Sequence, residues 1–164
     1  MTTTLQKASK SRIAKTDVLD VPSVAEALAE VLTDTYRLVL KSHTYHWNVT
    51  GPLFFSIHEM IEAQYSDMFA AADMLAERIR ALCKPALVSL AGLTAGQGGQ
   101  NPDVSLSAKD MVRDLQEDHE TLAQRMRALV LTAEAAGDPV TADLATERAA
   151  FHERAAWTLR ATAT

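Results

Sequence analysis

Cysteine is all but missing from this 164-residue chain, in which Cys83 stands alone. One thiol cannot form an intramolecular disulfide, so a disulfide-stapled scaffold is excluded and a reducing compartment is the expected setting. Long apolar runs are missing as well. No stretch approaches the ~18 consecutive apolar residues of a membrane span. The opening MTTTLQKASKSRIAKT has neither the apolar core nor the small-residue cleavage motif of a secretory signal. Strict alternation of apolar and polar residues, the mark of a half-buried strand, is sustained nowhere. Glycine (6) and proline (5) are few, and over half of them fall between Pro85 and Pro102. What is abundant is apolar material. At 48% hydrophobic against 23% charged, there is too much of it to stay solvated and enough for one compact domain to bury a core. The expectation is a soluble, cytoplasmic, all-α protein.

Charge is placed unevenly. Lys7, Lys10, Arg12 and Lys15 give the first 16 residues +4 with no acid, while the rest carries 12 basic and 21 acidic side chains, for −5 overall. A short basic arm on an acidic body can reach a polyanion that the body itself repels. Residues 1–20 therefore read as a flexible basic arm and 21–164 as the folded domain.

Four long periodic segments fill that domain. Val24, Leu28, Val31, Leu32, Thr35, Leu38 and Val39 recur at helical spacing behind Pro22-Ser23, and Gly51-Pro52 stops the segment after Trp47. A second segment opens at Ser56-Ile57-His58-Glu59, a capping-box pattern. It runs to about Leu82 on a stripe of Ile57, Ile61, Met68, Leu75, Ile79 and Leu82. Pro85, Gly92, Gly96, Gly98, Gly99 and Pro102 then mark a long connection with a short helix around Leu87–Ala91. The third segment follows Ser107, with Met111, Leu115, Leu122, Met126, Leu129 and Val130 on one side. Gly137-Asp138-Pro139 separates it from a fourth bearing Leu144, Phe151, Ala155 and Leu159. Short, long and short connections predict a four-helix bundle with one long crossover between helices two and three, the ferritin-like arrangement.

The second helix has two faces. At about 100° per residue, His58, Glu62, Asp73 and Glu77 share one side, roughly 140° from the centre of the apolar stripe. His58/Glu62 and Asp73/Glu77 are i,i+4 pairs, each able to converge on one ion. Glu62 and Asp73 are about 16 Å apart along the axis, so one copy of the helix cannot close both pairs around a common centre. Two copies can. Both pairs are symmetric about the point between Asp67 and Met68, so an antiparallel two-fold crossing there sets His58 against Glu77 of the other copy and Glu62 against Asp73. Such a contact is isologous and makes two equal sites. A purely salt-bridged seam is disfavoured because a mostly acidic cluster repels itself without cations. Imidazole with carboxylates suits iron, manganese or zinc. The absence of any Glu-x-x-His disfavours a di-iron centre inside a single bundle, which normally uses two of those motifs.

The stretch His43-Thr44-Tyr45-His46-Trp47-Asn48-Val49-Thr50-Gly51-Pro52, then Phe54-Phe55-Ser56-Ile57-His58-Glu59-Met60 and Asp73-Met74-Leu75-Ala76-Glu77-Arg78, resembles the Dps family. These are mini-ferritins named for protecting DNA in starved bacteria, and the likeness covers about residues 20–160. It implies a hollow dodecamer that binds ferrous iron, oxidises it, characteristically with hydrogen peroxide, and stores ferric mineral. By position it implies ligands His46, His58 and Glu62 from one subunit and Asp73 and Glu77 from its two-fold mate. Many relatives have aspartate where this chain has Glu62, and the longer carboxylate alters bridging. The resemblance selects His46 over His43, which lies one turn earlier and is placed to support a ligand. It further sets Asp138, Asp143 and Glu147 at three-fold pores, although Asp138 at a helix start equally suits dipole complementation. Trp47, beside the iron, reads first as a packing residue and second as an electron donor. His119 and His152 read as hydrogen-bonded or exposed histidines.

Two functions follow as expectations: a ferroxidase that keeps its product within its own oligomer, and an architectural DNA-binding protein using the arm without sequence preference. Iron oxidation ranks first.

Overall fold

The computed structural model describes residues 16–94 and 101–163. Five helices account for it: α1 (Val21–Asn48), α2 (Phe54–Ala81), the four-residue α3 (Leu90–Leu93), α4 (Ala108–Ala135) and α5 (Pro139–Thr162). Among the described residues there is no strand, and no helix is long and apolar enough to cross a membrane.

Local chemistry sets most of the ends. The Asp20 carboxylate accepts from the Ser23 amide at the start of α1, with Pro22 in the first turn, and the Ser107 hydroxyl accepts from the Asp110 amide at the start of α4. The capping box expected at Ser56 does not form. α2 begins two residues earlier, behind Leu53 and with no side-chain cap. Its first turn is set by the reversal at Gly51, whose φ of +107° suits a residue without a Cβ and whose carbonyl accepts from the Phe54 amide at 3.0 Å. α4 ends in a Schellman motif: Gly137 is left-handed, its N–H donates to the Glu134 carbonyl, and the Asp138 N–H donates to the Ala133 carbonyl. α2 closes the same way with Cys83 in the left-handed position.

The helix directions follow from the contacts. His46 meets His58 and Tyr36 meets Phe69, so α1 and α2 are antiparallel. Lys41 pairs with Asp118 and Arg125 with Asp34, so α4 also runs against α1. Asp67 pairs with Arg148, and the Thr162 hydroxyl approaches Met60, which sets α5 against α2. Helices α2 and α4 are therefore parallel, and the connection between them must travel the length of the bundle. α3 rides on the middle of α1 along that path: the Ser89 amide donates to the Thr33 hydroxyl and Arg37 donates to the Gly92 carbonyl at 2.7 Å. The expected crossover is thus the observed one.

The apolar stripes meet inside. Every stripe residue of α1 and α2 predicted from periodicity is buried, as are Met111, Leu115, Leu122, Met126 and Leu129 of α4. In α5, Ala155 and Leu159 are buried as expected, but the rest of its buried face is Ala with Thr141, Arg148 and His152, and Leu144 and Phe151 are only partly buried. Packing on the core also begins before α1. Val18 packs on the core and the Leu19 N–H donates to the Ala136 carbonyl, so the last residues assigned to the arm are docked. Lys7, Lys10, Arg12 and Lys15 lie outside the described residues.

Candidate metal centre

The turn at Gly51 folds the end of α1 onto the start of α2 and lays the His46 ring over that of His58, with centroids 3.6 Å apart and planes 17° apart. Each ring bonds the other residue's main chain: His46 Nδ1 lies 3.0 Å from the His58 carbonyl and His58 Nδ1 lies 2.9 Å from the His46 carbonyl. A carbonyl can only accept, so both Nδ1 atoms carry the hydrogen and both Nε2 atoms keep a free lone pair. This is the support that a ligating histidine needs on its second nitrogen. Glu62 stands one turn beyond His58, and the ligand atoms of His46, His58 and Glu62 all lie within 4.8 Å of one another. Among the described residues this is the group of three that could hold an ion. Two imidazoles and one carboxylate form a mixed nitrogen–oxygen set suited to first-row divalent cations. His46 is buried, His58 half-buried and Glu62 exposed, so the cradle opens outward.

Behind it stands an aromatic column. Tyr65 meets His46 edge-on, at 5.3 Å between centroids and 87° between planes, and lies 4.0 Å from the His43 ring. His43 in turn lies parallel to Trp47 at 5.4 Å. His43 thus serves as a packing ring between Tyr65 and Trp47, and desolvation, with the nearby His46, lowers its pKa. Desolvation, with Glu62, raises that of Tyr65. Tyr65 was not singled out by spacing, although it follows His58 by seven residues and so shares its helix face. Trp47 is largely exposed.

Asp73 and Glu77 lie further along α2, exposed, on a helix that continues unbroken to Ala81. The chain does not bring them to the other three. The acidic set assigned to pores divides. Asp138 is buried, caps α5 by accepting from the Thr141 amide and hydroxyl, and pairs with Arg78 at 2.7 Å. Burial pushes its carboxyl up, but the bonds from Arg78 and Thr141 outweigh that and hold it below the usual range. Asp138 is therefore engaged as a buried cap of α5, whereas Asp143 and Glu147 are exposed on the first turns of α5.

A second histidine pair sits inside the bundle. His119 and His152 are fully buried, with Nδ1 atoms 2.9 Å apart. One must donate and the other accept, so the two are opposite tautomers, and both Nε2 atoms are buried without a partner. Arg148 is buried nearby, paired to Asp67 at 2.6 Å and stacked on Phe151. Burial, reinforced by the Arg148 charge, pushes His119 down to about 3 and His152 well below its ordinary value.

A helical bundle with one crossover and an open nitrogen–carboxylate cradle defines a ferritin-like protein, and the ferritin-like domain model matches residues 25–164. Over 137 residues the chain is 33% identical to the DNA protection during starvation protein of Helicobacter pylori, covering 83% of this chain and 95% of that protein. Among solved structures it is similar to the Dps protein of Vibrio cholerae O1, described as a ferritin-like diiron-carboxylate protein (TM-score 0.82, 27% identity, 95% and 100% of the two chains). It is also similar to Dps from Thermosynechococcus elongatus (TM-score 0.76, 29% identity, 86% and 90%). The chain belongs to the Dps family of ferritin-like proteins.

Proposed function

We propose that this protein binds ferrous iron at sites made by two copies of the chain, oxidises it with hydrogen peroxide, and retains the ferric product inside a closed homo-oligomer, a dodecamer. The observation that carries the reading is the split of the donor set. His46, His58 and Glu62 converge within 4.8 Å, while Asp73 and Glu77 sit on the same exposed face of the same helix, too far along it to join them. An antiparallel two-fold crossing of α2 between Asp67 and Met68 adds the partner's carboxylates to the cradle. Two ferrous ions held there each give one electron to one peroxide, so the O–O bond breaks into two oxide-level oxygens with no hydroxyl radical released. The anionic carboxylates favour the ferric state. Exposed Asp143 and Glu147 draw cations toward the shell by focusing negative potential.

Complementation tests the sharing. His58→Ala and Glu77→Ala chains, each expected to be inactive, are co-expressed and supplied anaerobically with Fe²⁺ and peroxide. Each mixed dimer then contains one intact site of its two, so random pairing restores about a quarter of the wild-type sites, with two irons oxidised per peroxide. No recovery in assembled mixed oligomers would refute a site shared in this way.

DNA protection, part of the name of the Helicobacter pylori relative, is a second reading carried by the +4 arm against the acidic body. Lys7, Lys10, Arg12 and Lys15 would meet phosphates without sequence preference and with strong salt dependence. A gel shift comparing the full chain with one lacking residues 1–16 tests this; equal binding by both defeats the arm.

A further inference from the structure

We infer that Tyr65 is a positioning residue for the metal cradle: its ring, not its hydroxyl, holds the His46 imidazole in the orientation that aims Nε2 at Glu62 and the His58 Nε2. The inference rests on the ligand set proposed above and goes beyond it.

His46 lies in the last turn of α1, two residues before the helix ends at Asn48, where main-chain hydrogen bonding is thinnest. Its ring has one hydrogen bond, from Nδ1 to the His58 carbonyl, and one bond leaves the plane free to swing about it. The stack on His58 restrains one direction. The perpendicular Tyr65 ring, 5.3 Å away, supplies a second contact at a right angle to the first, and the two together fix the plane. Edge-to-face packing of this kind is directional. Tyr65 is itself held, with the His43 ring 4.0 Å off and Trp47 parallel to His43 beyond it. The column draws on both helices, His43 and Trp47 one turn apart on α1 and Tyr65 on α2, so it also fixes how the two helix ends face each other. A cradle whose ligands are already oriented gives up less freedom when an ion arrives. Groups that orient ligands this way are typically worth 10–100-fold in metal affinity.

The test uses the full chain and Co²⁺ as the probe, titrated by calorimetry and by its visible absorption bands. Nitrogen-detected spectra of the metal-free protein report the His46 tautomer independently. Tyr65→Phe keeps the ring and is expected to bind Co²⁺ like the wild type with His46 Nδ1–H retained. Tyr65→Ala is expected to weaken binding by about tenfold or more and to broaden the His46 ring signals before any metal is added, because the ring then swings about its Nδ1 bond. Should the alanine variant fail to assemble, Tyr65→Leu keeps the volume without the ring and the same loss is expected. Wild-type affinity and a fixed His46 in the Ala or Leu variant would overturn the inference, as would a Phe variant as weak as Ala. His46→Ala separates the two levels: if it binds Co²⁺ as tightly as the wild type, the ligand set itself is wrong and the brace falls with it.

Discussion

The molecule holds two touching histidine pairs, and they are opposites. His46 and His58 spend their Nδ1 hydrogens on each other's main-chain carbonyls, which leaves two lone pairs facing a carboxylate at an opening to solvent. His119 and His152 bond Nδ1 to Nδ1, which leaves one lone pair and one N–H sealed in the bundle beside an arginine. The first pair is arranged to receive a cation. The second sits where a cation is doubly disfavoured, by desolvation and by Arg148. Residue type does not separate them; what Nδ1 bonds to, and what charge stands nearby, does.

The largest effect that could break this contrast is on metal binding. If the proposed ligand set holds, His58→Ala removes a ligand and the ring partner of His46 at once. Loss of a ligand should cost at least the upper end of what loss of a supporting group costs, about a hundredfold. Calorimetric Co²⁺ titration checks it, with thermal unfolding changing little because His58 is half-buried. His152→Leu should do the reverse. It leaves His119 buried with neither nitrogen paired, which costs about 1–3 kcal/mol in denaturant unfolding, while Co²⁺ affinity stays at the wild-type level. A His152→Leu protein that loses metal, or a His58→Ala protein that keeps it, would erase the distinction between the pairs.

Much of this was legible beforehand. Period-3.6 stripes gave every long helix, because a bundle core needs only one apolar face per helix and the pattern records it directly. The face bearing His58, Glu62, Asp73 and Glu77 was equally plain, since all four belong to one helix. Contacts between helices were not. His46 came from a resemblance and His43 was read as a supporting group one turn away, but Tyr65, which joins them, emerged only when α1 met α2 in space. Asp138 was open between a helix-end role and a pore role because an aspartate before Pro139 reads the same either way; its bond to Arg78, 60 residues away, was not visible in the sequence. The start of α2 was misread for a related reason: a Ser-x-x-Glu pattern predicts a cap, but the reversal at Gly51 sets the boundary first.

The smaller test sharpens the contrast through pH. In the unfolded chain both buried histidines return to an ordinary value near 6.5, whereas in the fold His119 is held to about 3 and His152 well below its ordinary value. Below about pH 6.5 the unfolded chain takes up protons that the folded chain refuses, so stability is full above that pH and falls as pH drops. The slope contributed by His119 approaches about 1.4 kcal/mol per pH unit between roughly pH 6 and 3. His119→Leu/His152→Leu removes both groups together, leaving no orphan, so it should lie near the wild type at pH 7 and be flatter on the acid side. Urea unfolding at pH 7 and pH 5 checks both statements. If the double variant loses stability on acidification as steeply as the wild type, the buried pair does not set the acid limb and carboxylate pairs such as Asp138–Arg78 carry it instead. A double variant that is also stable at pH 7 would mean that the interior pair is dispensable for packing.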